Sequence, residues 1–118
     1  MSIQQLLLSI RPLPEVKKIF LTTTGANNWI VPDDWNSNNN TIEVIAGGAS
    51  GAAAGATNYA GSGTGGGYSK IVNQTLTPSS SIPYYVGAGG ASVTTTGSGV
   101  EGNPGQDTYY GHASYTSA

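Results

Sequence analysis

Gly61, Gly63 and Gly66 stand in the G-x-G-x-x-G spacing that lets a pyrophosphate approach the start of a helix in dinucleotide folds. Here the residues that follow, Gly67-Tyr68-Ser69-Lys70-Ile71-Val72, have the period of a strand. With five glycines between positions 61 and 67, a chance match is the expected result. The phosphate loop G-x-x-x-x-G-K-[ST] is absent. His112 is the only histidine and there is no cysteine, so a four-ligand structural metal site cannot be assembled. No nucleophile–base pair can be specified around His112 either. Asp33 and Asp34 are adjacent, so they point apart in a turn and suit main-chain capping better than hydrolysis. Glu101 and Asp107 flank Asn103-Pro104-Gly105 and offer calcium-type oxygens, but plain turn chemistry explains the same residues. The expectation is a protein that is not an enzyme, with no catalytic residues, no cofactor and no metal.

The seven tyrosines offer recognition instead of reaction. With Gly, Ser and Asn they reproduce the composition of antibody-type binding loops, flat amphipathic rings among adaptable polar groups. Tyrosines paving a small sheet explain them equally well. Tyr84/Tyr85 and Tyr109/Tyr110 are neighbours in sequence, so one of each pair must face away from the core. Tyr59, Tyr85 and Tyr109 are the candidates for contact with an external ligand.

The elements that carry these residues follow from pattern and punctuation. Ile3, Leu6, Leu7 and Ile10 form one helical stripe, and Ser2 and Gln5 have capping-box spacing. Pro12 and Pro14 end that helix. A helix this short is marginal alone and must dock, which makes Ile3, Leu6, Leu7, Ile10 and Leu13 a candidate assembly interface. From Val16 the period is two. Val16–Thr24, Trp29–Val31, Thr41–Ala46, Tyr68–Leu76, Ile82–Val86 and Thr108–Tyr110 read as strands, with Gly25–Asn28 and Asn36–Asn40 as turns. Ile42 and Val44 share one face, and Pro83 argues for an edge strand. The spacing predicts an all-β chain, a small antiparallel β-sandwich of five to seven strands. Phe20, Trp29, Val31, Ile42, Val44, Ile71, Val86 and Tyr110 would form its core. Residues 46–67 and 87–105 read as long glycine-rich loops; in 46–67 the glycines follow no three-residue period, which excludes collagen. Two parts result: an N-terminal anchoring helix or arm at 1–15, and a glycine-rich β-domain at 16–118.

Composition narrows the partners. The chain has 118 residues, of which 22 are Leu, Ile, Val or Phe, enough for one thin core. Only ten residues are charged, the net charge is −2, and no Lys or Arg follows Lys70. A phosphate-neutralising face cannot be built, which excludes nucleic acid. Leu6-Leu7-Leu8 is too short for membrane insertion, and the start lacks the basic region of a secretory signal. Low charge and a thin core suit a homo-oligomer more than a free solute.

The order of motifs resembles the glycine-rich domain of tail-fibre and other appendage proteins of tailed bacteriophages. It rests on Phe20-Leu21-Thr22-Thr23-Thr24-Gly25, Trp29-Ile30-Val31-Pro32, and Ile42-Glu43-Val44-Ile45-Ala46-Gly47-Gly48. Gly66-Gly67-Tyr68-Ser69-Lys70, Tyr85-Val86-Gly87-Ala88-Gly89-Gly90 and Gly105-Gln106-Asp107-Thr108-Tyr109-Tyr110-Gly111 continue it. The match spans about residues 19–111 and is specific as an ordered set. It departs where Asp33-Asp34-Trp35 replaces a small turn and where Ala, Thr and Asn dilute the first glycine-rich stretch. The resemblance implies a structural component of a tail fibre, tail tip or capsid appendage, made in the host cytoplasm and located in the virion. The resemblance also implies a trimer or ring as the homo-oligomer, with other virion structural proteins as partners, docked through residues 1–15. The alternative is a receptor-binding adhesin that meets host-surface glycan through its glycine- and tyrosine-rich loops. The family carries no catalytic residues to transfer.

Overall fold

The computed structural model describes residues 16–56, 59–95 and 97–111. The candidate interface at Ile3, Leu6, Leu7, Ile10 and Leu13, and His112, lie outside them. The described chain is all-β, with no helix. Its strands are β1 (Gly25–Ile30), β2 (Thr41–Ile45), β3 (Tyr68–Val72), β4 (Ser81–Val86) and β5 (Tyr109–Tyr110). They form two antiparallel sheets, one ordered β1-β4-β5 and one made of β2 and β3.

The first strand is displaced from its sequence expectation. Val16–Thr24, though β-branched and apolar, forms no strand, and Val16 and Phe20 are 82% and 81% exposed. The strand instead starts at Gly25 (φ +95°) and runs through Asn27 and Asn28, read from the sequence as a turn. The Asn27 amide donates to the carbonyls of Thr23 (2.9 Å) and Gly25 (3.1 Å), and pairing with β4 supplies the rest. Strand propensity reports fit to a sheet, and here the partner strand lies opposite the asparagines.

Pro83 does not hold β4 at an edge, because β4 is the central strand of its sheet. Backbone groups of successive residues in an antiparallel ladder point to alternate sides. Val31 donates to the Ser80 carbonyl (2.9 Å), so the even-numbered residues of β4 face β1 and Pro83 faces β5. Its carbonyl accepts the N–H of Gly111 (2.9 Å), and the missing N–H falls where the two-residue β5 ends.

The glycine-rich stretches lie outside the strands, as loops, yet regular backbone pairing orders them. Residues 46–52 continue β2, residues 61–67 lead into β3, and the two stay paired without a shift of register. Ala46, Ala49 and Ala52 donate to the carbonyls of Gly67 (2.8 Å), Thr64 (2.9 Å) and Gly61 (2.9 Å). On another side, Gly47, Ser50 and Ala53 donate to Gln106 (2.9 Å), Asn103 (2.9 Å) and Val100 (2.8 Å). On a third side the Gly48 carbonyl accepts from Gly90 (2.8 Å). Three successive residues therefore serve three neighbours, the repeat of an extended helix with three residues per turn. Residues 87–91 pair in turn with 103–106: Gln106 donates to Ala88 (2.9 Å), and the Asn103 amide donates to Ala91 (2.9 Å). These backbone hydrogen bonds all lie within one chain.

Glycine is required here for space. Cβ atoms on Gly63 and Gly66 would lie 1.9 Å from the carbonyl oxygens of Ala49 and Ala46. Those on Gly102 and Gly105 would lie 2.1 and 1.9 Å from the oxygens of Ser50 and Gly47, and one on Gly87 would lie 2.1 Å from that of Gln106. Each of these glycines immediately precedes a residue whose carbonyl accepts, and the atom it makes room for belongs to the donor residue. None has a positive φ; among the described glycines only Gly25 and Gly111 do.

Little side-chain core accompanies this backbone lattice. Val31 is the one buried hydrophobic side chain among the described residues, at 1% exposure. Beside it in sequence, Trp29 meets Trp35 edge to face at 5.4 Å. The Trp35 indole N–H donates to Gln74 (3.1 Å), and the Asn40 side chain both donates to Gln74 (3.0 Å) and accepts from it (2.9 Å). Of the other expected core residues, Trp29, Ile42, Val44, Val86 and Tyr110 are half-buried, while Phe20 and Ile71 are exposed. Ile42 and Val44 do share the less exposed face of β2, as their alternation predicts.

Candidate functional site

Tyr109 and Tyr59 line two separate hollows, and Tyr85 stacks on Tyr109. Tyr85 of β4 and Tyr109 of β5 lie directly opposite each other in register, which places both rings on one face. They stack at 5.0 Å with 9° between their planes. The Tyr85 hydroxyl donates to Gln106 Oε1 (3.2 Å), an oxygen that also accepts the Ala88 N–H (3.3 Å). One residue further, Thr108 Oγ1 accepts the N–H of Gly87 (2.9 Å). The stack therefore stands at the point where the β4–β5 ladder gives way to the glycine lattice, and side chains of both parts fix it.

Tyr109 also lines a shallow groove of about 320 Å³, with Asp107 and Thr108 on one wall and Val44, Ala46 and Tyr68 on the other. Tyr68 is positioned by its own sheet. Its hydroxyl donates to Glu43 Oε1 (2.8 Å), and Glu43 lies opposite Lys70. The hydrogen bond to the Glu43 carboxylate raises the Tyr68 pKa above the usual phenol value, with desolvation and the carboxylate charge adding to it. Burial raises that of Tyr110.

Tyr59 is separate. It is fully exposed and lines a second, broader hollow of about 510 Å³ with Ala52, Ala53, Gly99, Val100 and Glu101. The structure thus brings together Tyr85 and Tyr109 and leaves Tyr59 at another surface. The glycine, aspartate and asparagine candidates make structural contacts. Gly63 and Gly66 face alanine carbonyls of the neighbouring strand. Asp33 accepts from Ser79 Oγ (3.1 Å), and Asp34 pairs with Lys17 (3.4 Å) on the surface. Asn103 is used by residues 50 and 91. Among the described residues no three His, Cys, Asp or Glu side chains gather where they could hold a metal ion.

Sequence reasoning found the tyrosines but missed the functional weight of Gln106, Thr108 and Asn103. They lie on the strand that zips both hairpins together, and a polar residue every second or third position between glycines was the available signal.

Shallow hollows, a stacked tyrosine pair and a backbone lattice are the chain's main surface features. They define a β-domain whose architecture rests on glycine. The chain belongs to the glycine-rich domain family, whose model matches residues 22–118. No curated protein and no solved structure matches it.

Proposed function

We propose that this chain is a non-enzymatic structural component of a tailed-phage virion, in a tail fibre, tail tip or capsid appendage. It docks to other virion proteins through residues 1–15 and assembles as a homo-oligomer. The observation that carries this reading is the exposure of the β2–β3 sheet. Every residue of β3 is exposed, and a two-stranded sheet in water is marginal unless a partner covers it. The ordered motif set between about residues 19 and 111 supports the phage setting. Mass spectrometry of purified virions of the encoding phage tests it. The chain should be present at a fixed copy number, and deleting residues 1–15 should remove it from the particles. A chain confined to the infected-cell lysate would overturn the reading.

A second reading has its own support. Tyr59, fully exposed beside an open hollow, suits a receptor-binding tip that stacks on a host-surface sugar, with Tyr85 and Tyr109 as a further aromatic surface. Tyr59→Ala virions that assemble normally but adsorb poorly to host cells would favour it over a purely structural role. Equal adsorption would remove it.

A further inference from the structure

Residues 59–73 run from the lattice segment into β3 (Tyr68–Val72), and every one of them is exposed. One side is zipped to β2 and residues 46–52; the other has no partner strand among the described residues. Asn73 donates to Asn40 and Ala46 donates to Gly67, so Ser69 and Ile71 face β2. The N–H and C=O groups of Tyr68, Lys70 and Val72 point away from it. Tyr68, Ile71 and Val72, with Ile45 of β2, leave apolar side chains in solvent around this open edge.

The glycines of the same edge carry the second observation. Gly61, Gly65 and Gly67 have nothing within 4 Å of the position a Cβ would take, and none has a positive φ. Nothing within the chain calls for glycine there, although glycine loses the most conformational freedom on folding. Wherever else this lattice places an unstrained glycine against a neighbour, another backbone lies in contact, as at Gly63, Gly66, Gly102 and Gly105. The three open positions mark where a further backbone can approach.

We propose that residues 61–72 pair edge to edge with the same residues of a second copy of this chain. The pairing extends β2–β3 into a four-stranded sheet and adds a strand to the glycine lattice. A two-fold axis brings a strand against itself in the antiparallel sense, the sense of every strand pairing within this chain. The edge carries one charge, Lys70, which already faces Glu43 across the sheet, so two copies meet without a row of like charges. The join of residues 47–53 to 100–106 is the pattern for such a contact, two small-residue strands held by backbone hydrogen bonds. The proposal refines the assembly part of the function above and is separable from the virion location.

Sedimentation velocity on the full chain over a wide concentration range tests it, with two variants. Lys70→Pro removes an outward N–H and leaves the β2–β3 hydrogen bonds intact, as proline is tolerated at sheet edges. Gly65→Ala puts a Cβ on the bare face, where nothing inside the chain lies within 4 Å, so it decides the question should Lys70→Pro perturb the circular dichroism. The wild type should dimerise at micromolar concentration, and the variants should weaken dimerisation at least tenfold. A wild type that stays monomeric into the millimolar range overturns the proposal. So does a dimer that both variants leave unchanged; in that case assembly uses another surface, and the virion reading is still judged by its own mass spectrometry.

Discussion

The hairpin from Asn40 to Asn73 is built by two different rules at its two ends, although its strands never change direction or register. From Thr41 to Ile45 the rule is pleated alternation: Ile42 and Val44 turn to one face, Glu43 and Ile45 to the other. From Ala46 to Ala52 the rule is threefold: each residue serves one of three neighbouring strands, and a missing Cβ decides which backbones can touch. The first half is specified by what its side chains bury. The second is specified by side chains that are absent. A chain poor in large apolar residues can thus still order most of its length, because backbone hydrogen bonds, each worth about 0.5–1.5 kcal/mol net, replace hydrophobic contacts.

The sharpest way to break this comparison is to put methyl groups on neighbouring glycines. Gly66→Ala drives a Cβ to 1.9 Å from the Ala46 oxygen, and only backbone movement can relieve it. It should cost about 3 kcal/mol, the upper part of the usual overpacking range. Gly65→Ala, one residue away, points into open space at an ordinary φ. In dilute protein it should be neutral or stabilising by about 0.4–1 kcal/mol, because it restricts the unfolded chain alone. Chemical denaturation reads both. Equal losses at the two positions would mean that glycine is needed for general pliancy and that the lattice geometry is irrelevant.

The reciprocal test strikes the other end of the contrast, the pleated sheet of β1 and β4 that Val31 adjoins. Val31→Ala opens a space in the one fully buried position, at a cost of about 2 kcal/mol for two lost methylene equivalents plus the cavity. Hydrogen exchange distinguishes the two lesions. Val31→Ala should release amides of β1 and β4 first, whereas Gly66→Ala should release Ala46, Ala49 and Ala52. If both variants release the same amides together, the two ends form one cooperative unit, and the division drawn between them is structural alone.

The two rules also explain what the sequence made legible. β2, β3, β4 and β5 were readable within a few residues, because alternation and Pro or Gly punctuation report directly on pleated strands. Val16–Thr24 misled because β-branched residues score as strand whether or not a partner exists, and the partner lay opposite Gly25–Ile30. The lattice escaped because residues 46–67 contain no large side chain but Tyr59, and a core was sought in side chains. A three-residue glycine period is in fact present at 63/66, 87/90 and 102/105, each time on a strand too short to show it over a long window. Tyr85 and Tyr109 were identifiable as aromatic candidates, but their stacking depends on the β4–β5 register, which no local pattern encodes.

The smallest expected effect is on the alkaline side. The hydrogen bond to Glu43 raises the folded-state pKa of Tyr68 above that of the unfolded chain, about 10. A raised folded value means that the native state holds this proton more tightly. The corresponding stability is complete below about pH 10 and is lost as pH climbs through the folded value. Tyr68 is solvent-exposed, so water screens the interaction and the slope should be shallow. Tyr110, raised by burial, adds to the same slope from the other sheet. Tyr68→Phe should therefore flatten the decline of stability above pH 10 without abolishing it. The tyrosinate absorbance titration should lose one component raised above the ordinary phenol value in the same variant. An unchanged slope would show that the bond between Tyr68 and Glu43 does not hold the pleated end together, leaving the β2–β3 backbone ladder as its remaining tie.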